Sequence, residues 1–357
     1  MRVCILGTGL SSLTLAKALV NLKIYVDVVG TKNTNKINRS RTLGISKSNV
    51  DFFNSNIVDI KKLLWKLNKI EILSDYLKNE KLVKFENNNE YLFSILKNSD
   101  LVKILNRSLS LNRYFKKIYN KKIFSYDDYN LVINTEFKNL ITKKYFSKKI
   151  KKKYNSSAYT TIIHHEKILN NTATQIFTSK GPLAFLPISD TETSIVYSID
   201  NFKLKKNENI YNLIKKYNFK YKIQKIKKIE NFELNSIILR SYYHENILAF
   251  GDLLHTIHPF AGQGFNMTIR DIIVLVQIIK NRISLGLQID KSVNSEFENK
   301  MRHKNFIFSN GIDFVYEIFN YEKRAKNTSL TKSIQMLVNK PAVNKIFRKF
   351  ADKGTTL

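Results

Sequence analysis

The 357 residues include one cysteine, one tryptophan, four prolines and 11 glycines. A lone thiol, Cys4, excludes an internal disulfide, favours a reducing compartment and leaves no cysteine cluster for structural zinc. No hydrophobic run reads as a membrane span. The opening MRVCILGTGLSSLTLAKALV has a basic start and an apolar run like a signal peptide. Its glycines interrupt that run and Lys17 sits inside it, so it reads as folded chain. Acidic residues are scarce as well: 29 Asp and Glu stand against 60 Lys and Arg, a formal charge of +31. Such an excess suits a polyanionic partner. The lysines, however, are scattered among asparagines and isoleucines as ordinary surface residues, which points to no specific nucleic acid. The densest tract, KKYFSKKIKKKY at residues 143 to 154, reads first as a solvated loop and next as a contact for an anionic membrane. With 43% hydrophobic and 25% charged residues the chain has the composition of a folded protein.

The few glycines are concentrated. Gly7-Thr8-Gly9-Leu10-Ser11-Ser12 follows an apolar strand, Val3 to Leu6, and precedes an apolar helix. This is two-thirds of a dinucleotide fingerprint: Gly7 permits the tight turn and Gly9 lets a pyrophosphate approach a helix N-terminus. Ser12 takes the third position, where Gly or Ala is usual. The second strand, Ile24 to Val29, ends without the customary acid, and Asp27 comes too early to serve a ribose. Arg41 reads either as a surface residue or as a charge-assisted phosphate contact.

The second concentration is GDLLHTIHPFAGQGFNMTIRD, residues 251 to 271. Leu248 to Phe250 form a strand that delivers Gly251 and Asp252 at its carboxyl edge. Asp252 is placed to accept from a ribityl hydroxyl or to cap local backbone. Pro259, Ala261, Gly262 and Gly264 make a constrained turn before a helix, and its amides can face a ring carbonyl or phosphate with no side chain intruding. His255 and His258 lack further ligands nearby, so buried, hydrogen-bonded loop histidines are the simpler reading than a metal pair. Asp271 serves the helix or an interface.

Elsewhere the pattern predicts helix over 47–68 and 91–119, and strands at 157–166, 173–178, 183–187, 193–199, 236–240 and 247–250. Helical pattern returns at 204–220, 264–281 and 292–345. An α/β fold follows, with a Rossmann-like nucleotide-binding domain over 1–70, 91–147 and 246–345, including C-terminal helices. A mostly antiparallel substrate layer covers 71–90 and 148–245, and 346–357 is a tail.

These blocks resemble those of a known family. GDLLHTIHPFAGQGFNMTIRD is similar to the second flavin motif of the ubiquinone-biosynthesis hydroxylases, class A FAD-dependent aromatic monooxygenases. GTGLSS resembles their FAD fingerprint, RTLGISKSNVDFF their basic-aliphatic segment, and GPLAFLPISDTETSIVYSI their substrate sheet. The resemblance implies a para-hydroxybenzoate-hydroxylase-like fold and non-covalent FAD. Gly7 and Gly9, with Leu10, Ser11 and Ser12, would cradle its pyrophosphate, and Arg41 would lie along it. Gly251 and Asp252 would hold the ribityl region. Pro259, Ala261, Gly262, Gln263, Gly264, Phe265 and Asn266 would border the isoalloxazine. It further implies hydroxylation of a polyprenylated phenol with O2 and NAD(P)H through a flavin C4a-hydroperoxide. His258 and Pro259 are the candidates beside the reacting centre, and Phe185, Ile195, Val196 and Tyr197 are candidates for the substrate wall. The implied setting is cytoplasmic and peripheral on the inner membrane, among other ubiquinone-biosynthesis proteins. Thr135-Glu136-Phe137 stands where the family has Ala-Asp-Gly, and GDLLH replaces GDAAH. That departure leaves a second reading, an FAD-binding accessory or regulatory protein with weakened turnover.

Overall fold

A computed structural model describes residues 1–30, 40–75, 81–86, 90–119, 126, 128–205, 207–258, 262–325, 336 and 340–354. In chain order its first strands are β1 (Arg2–Leu6), β2 (Tyr25–Val29), β3 (Thr42–Ser46), β4 (Trp65–Leu67), β5 (Lys69–Ser74) and β6 (Lys81–Glu86). Next come β7 (Phe93–Lys97), β8 (Phe115–Ile118), β9 (Leu131–Asn134), β10 (Lys149–His165), β11 (Thr172–Thr178) and β12 (Gly181–Pro187). The last are β13 (Glu192–Asp200), β14 (Ile223–Ile226), β15 (Glu230–Leu239), β16 (Tyr243–His244), β17 (Ile247–Ala249) and β18 (His255–Thr256). The helices are α1 (Leu10–Asn21), α2 (Lys47–Asn56), α3 (Asn98–Ser110), α4 (Leu140–Tyr145) and α5 (Ile210–Tyr217). They continue with α6 (Gln263–Ser284), α7 (Lys291–Ala325) and α8 (Pro341–Lys353). Among the described residues no helix is long and apolar enough to cross a membrane.

The first sheet has the order β16-β17-β9-β1-β2-β8. Its β1 lies between β2 and β9, parallel to both. Val3, Cys4 and Ile5 are fully buried, as a near-continuous apolar run in a doubly covered parallel strand requires. Helices α1, α3, α6 and the start of α7 pack into the same core. The second sheet, β18-β15-β10-β13-β12-β11-β5-β6, also takes β14 against β10. All its pairings are antiparallel except β11 with β5. Strands β3, β7 and β4 make a third, antiparallel sheet.

Four local expectations are corrected. Helix α2 stops at Asn56 because buried Ile57 and Ile60 turn the chain into the core, and Trp65–Leu67 then pairs with β7. Within 91–119 only α3 is helical. Ser94, Ile95 and Leu96 are consecutively buried, which suits a strand and not one helix face, and Phe115–Ile118 extends the first sheet beside β2. The lysine tract is no loop: α4 takes 143–145, and Lys149 to Lys153 pair with β15, with Lys149, Lys151 and Lys153 exposed. Residues 346–353, expected as a tail, form the second half of α8.

Candidate active site

A cavity of about 1230 Å³ opens between the first sheet, the β3-β7-β4 sheet and one face of the second sheet. Small-molecule pockets typically hold roughly 300–1,000 Å³, so this one has room for more than a single compact ligand.

One wall is the turn between β1 and α1. Gly7 has φ +115°, and a Cβ there would lie 2.3 Å from the Thr135 hydroxyl oxygen. Helix α1 begins after Gly9 with no side-chain cap and no acid in its first turn. Its free amides therefore carry the positive end of the helix dipole to the cavity, where Thr8 to Ser12 line it. Two of the sequence departures prove to be one. The hydroxyls of Ser12 and Thr135 share a 2.8 Å hydrogen bond, and Thr135 also donates to the Leu6 carbonyl at 2.8 Å. Asn134 accepts from the Glu136 amide and closes that turn.

The opposite wall comes from the second glycine stretch. Gly251 has φ +64°, and a Cβ there would strike Ser11 at 2.7 Å, so strand β17 approaches the first turn only through glycine. Asp252 lines the cavity and is exposed. Gly262, with φ +63°, starts α6, again without a side-chain cap. Gly262 to Phe265 line the cavity, so a second helix N-terminus converges on it. Pro259 and Ala261 lie outside the described residues.

Whether FAD suits this site is tested by the glycines that no protein neighbour explains. A Cβ added at Gly9 or Gly264 would meet no atom within 4 Å, although both residues line the cavity. The space each leaves open is the cavity itself, beside one uncapped helix start and then the other. A dinucleotide with a pyrophosphate near α1 and a ring near α6 fits that pair of gaps.

Some expected ligands act from behind. Gly7, Gly251 and Asn266 do not line the cavity. Asn266 is fully buried; its amide donates to the Gly44 carbonyl at 3.0 Å, and its carbonyl accepts from Ser46 and Asn49. It locks α6 to β3. Arg41 is exposed at the cavity rim. Gln263 lines the cavity and accepts from Arg270 at 2.9 Å. Arg270 lies over the Phe308 ring, and burial brings its guanidinium down to about 10.

The two histidines diverge. His255 Nε2 is 2.5 Å from Asp271, which also accepts from Asn305 at 3.0 Å. Burial works against the His255 charge, but the Asp271 carboxylate outweighs it and raises the imidazole above its ordinary value. His258 is fully buried, and among the described residues neither ring nitrogen has a hydrogen-bond partner. Its ring stands edge-on to Tyr154 at 4.9 Å and tilted to Tyr316 at 4.3 Å. Burial, and after it the Lys152 charge, push it down to about 3.

The substrate wall has the opposite strand parity from the expectation. Phe185, Ile195 and Tyr197 pack into a core with Leu213, Ile214 and Tyr217, largely from α5, and the Tyr197 hydroxyl bonds Thr178. Their alternates on the same strands, Ala184, Leu186, Val196 and Ser198, face the cavity, joined by Ile70 and Ile72. Only Val196 of the four named candidates lies there. Which face α5 covers cannot be read from alternation alone. Gly44 was also missed: its Cβ would hit the Phe93 ring at 2.1 Å, and a glycine inside the strand TLGIS was the available signal. Helix α8 completes the rim. Its Asp352 accepts from the Ser48 amide and from the hydroxyls of Ser46 and Ser48, and Lys345, Arg348 and Lys349 line the opening.

The fold is that of the FAD-dependent monooxygenases. It matches p-nitrophenol 4-monooxygenase PnpA of Pseudomonas putida DLL-E4 with a TM-score of 0.79 at 12% identity, covering 97% of this chain and 96% of that one. Klebsiella pneumoniae HpxO, solved with FAD and uric acid, gives 0.74 at 11% identity, covering 99% and 97%. Residues 199–284 match the FAD binding domain family.

In sequence the chain resembles the ubiquinone-biosynthesis hydroxylases. It is 30% identical to 3-demethoxyubiquinol 3-hydroxylase of Escherichia coli (strain K12) over 154 residues, 41% of this chain and 39% of that protein. It is 24% identical to ubiquinone biosynthesis monooxygenase COQ6 of Danio rerio over 246 residues, 57% and 51% of the two chains. The chain thus spans about two-fifths to one-half of the length of these curated relatives.

Proposed function

We propose that this chain binds FAD non-covalently and hydroxylates the aromatic ring of a polyprenylated phenol or related quinone precursor, using O2 and NAD(P)H. The observation that carries this reading is the convergence of two uncapped helix starts, each with an unobstructed glycine, on one cavity that continues along an apolar sheet face. The similarity to ubiquinone-biosynthesis hydroxylases supports the substrate class.

Bound FAD would supply electron transfer from the nicotinamide and activation of O2. The protein does the rest. Amides at the start of α1 would hold the pyrophosphate, and Asp252 would accept from the ribityl chain. Amides at the start of α6 would stabilise charge developing on the bound ring. Ile70, Ile72, Ala184, Leu186 and Val196 exclude water from the reacting ring. A long prenyl tail would leave a bilayer for such a wall, and the net positive charge favours an anionic membrane face, which supports a peripheral setting on the cytoplasmic side near pathway partners.

Purified protein should carry FAD and oxidise NAD(P)H in a phenol-dependent manner, coupled to a hydroxylated product. Protein that stays colourless in excess FAD would end the reading. The substituted Thr135-Glu136-Phe137 turn favours one rival, an accessory flavoprotein. That rival predicts bound FAD without coupled turnover.

A further inference from the structure

Among the described residues His258 is a cavity-lining polar side chain without a partner. A neutral imidazole has one N–H and one lone pair, and here both are buried without a partner among the described residues. Leaving such groups unmet is costly, yet the described neighbours are engaged elsewhere. Tyr154 is committed to Asp313 by a short hydrogen bond, and Tyr316 faces Ser156 at 3.4 Å. Lys152 is engaged by Asp313 and Glu317. His255, three residues earlier, is held by Asp271 and is not available to share. The ring is wedged between two tyrosines, so it cannot turn away to solvent. It lines the same cavity as the start of α6, four residues further along the chain.

We infer that His258 is the hydrogen-bond acceptor for the hydroxyl of an incoming phenol, and so selects a free phenol over the corresponding ether. This rests on the reading of the cavity as a flavin-dependent hydroxylation site. The histidine is no general base for that hydroxyl. With the imidazole pushed down to about 3 and a phenol titrating near ~10, the proton stays on the phenol oxygen. The bond positions the ring and meets the imidazole's lone pair. His258 is therefore a positioning and specificity residue whose effect appears in binding.

The test uses FAD-loaded wild type, His258→Phe and His258→Gln, with o-allylphenol and its methyl ether as the paired probes. Affinity is read from the perturbation of flavin absorbance. Wild type should bind the phenol about tenfold more tightly than the ether, as one good hydrogen bond allows. In His258→Phe, which keeps a flat ring between the tyrosines, the two ligands should bind alike. His258→Gln, which retains an acceptor, should recover part of the preference. A preference that survives in His258→Phe, or wild type that fails to distinguish the ligands, overturns the assignment while leaving the flavin site intact. Wild type that takes up no flavin overturns the site reading itself, and the assignment with it.

Discussion

Two residues three positions apart give the site opposite responses to acid. His258 is held neutral far below the ordinary imidazole value. Between about pH 3 and the unfolded value near ~6.5 the unfolded chain binds a proton that the native chain refuses. Its contribution is complete above that unfolded value and is lost as the pH falls, by at most roughly 1.4 kcal/mol per pH unit. His255, raised by Asp271, works in reverse: its contribution is complete below the unfolded value and fades as the pH rises through the folded one. Thermal melts of wild type and His258→Phe at pH 7 and pH 5 separate the two. The variant should lose less Tm on acidification, and equal losses would contradict the assignment. At this scale the sequence was only half legible. It marked both histidines, but not that one would find a carboxylate and the other no partner among the described residues. It marked Ser12 and Thr135 as separate departures, and only their 2.8 Å contact makes them one.

Elements built on backbone constraint were the most legible. The turns at Gly7 to Gly9 and at Gly251 to Gly264 were readable because each needs residues without side chains, and a glycine-poor chain reveals where it places them. Strand faces were less so. Phe185, Ile195 and Tyr197 sit one register step from the cavity wall, and α5 decides which step is inside. Apolar residues from Phe52 to Leu67 satisfy a helical period, but buried Ile57 and Ile60 break it, a tertiary effect that local pattern does not contain. The uncapped start of α1 gives a prediction for Gly9→Val. Gly9 has extended geometry, with φ −72° and ψ 176°, and a Cβ there meets no protein atom. The flavin-free variant should therefore melt within a degree or two of wild type, since surface changes away from strained sites move stability by only about 0.5 kcal/mol. Its FAD affinity, by equilibrium dialysis, should fall at least tenfold. A variant that binds FAD normally would remove the pyrophosphate from that turn.

For the whole molecule, the charge of +31 is distributed and not gathered on one motif. Among the described residues Lys149, Lys151 and Lys153 lie exposed along β10, and Lys345 and Lys349 are exposed at the cavity mouth on α8. If the membrane reading is right, vesicles rich in anionic lipid should co-sediment the protein at low salt. They should release it as the Debye length shrinks to about 3 Å near ~1 M salt. Equal retention on neutral vesicles would remove the electrostatic basis.

The cavity wall runs from Thr8 to Lys353, and its closure depends on Asp352 reaching back to Ser46 and Ser48. During biosynthesis the Gly7 to Gly9 turn is made more than three hundred residues before the helix that seals the opposite rim. A nascent chain can form the early strands and helix, but it has no complete pocket to offer until α8 has docked. Occupation of the pocket is thus set to wait for α8, and a ligand held there reports that the rim has closed.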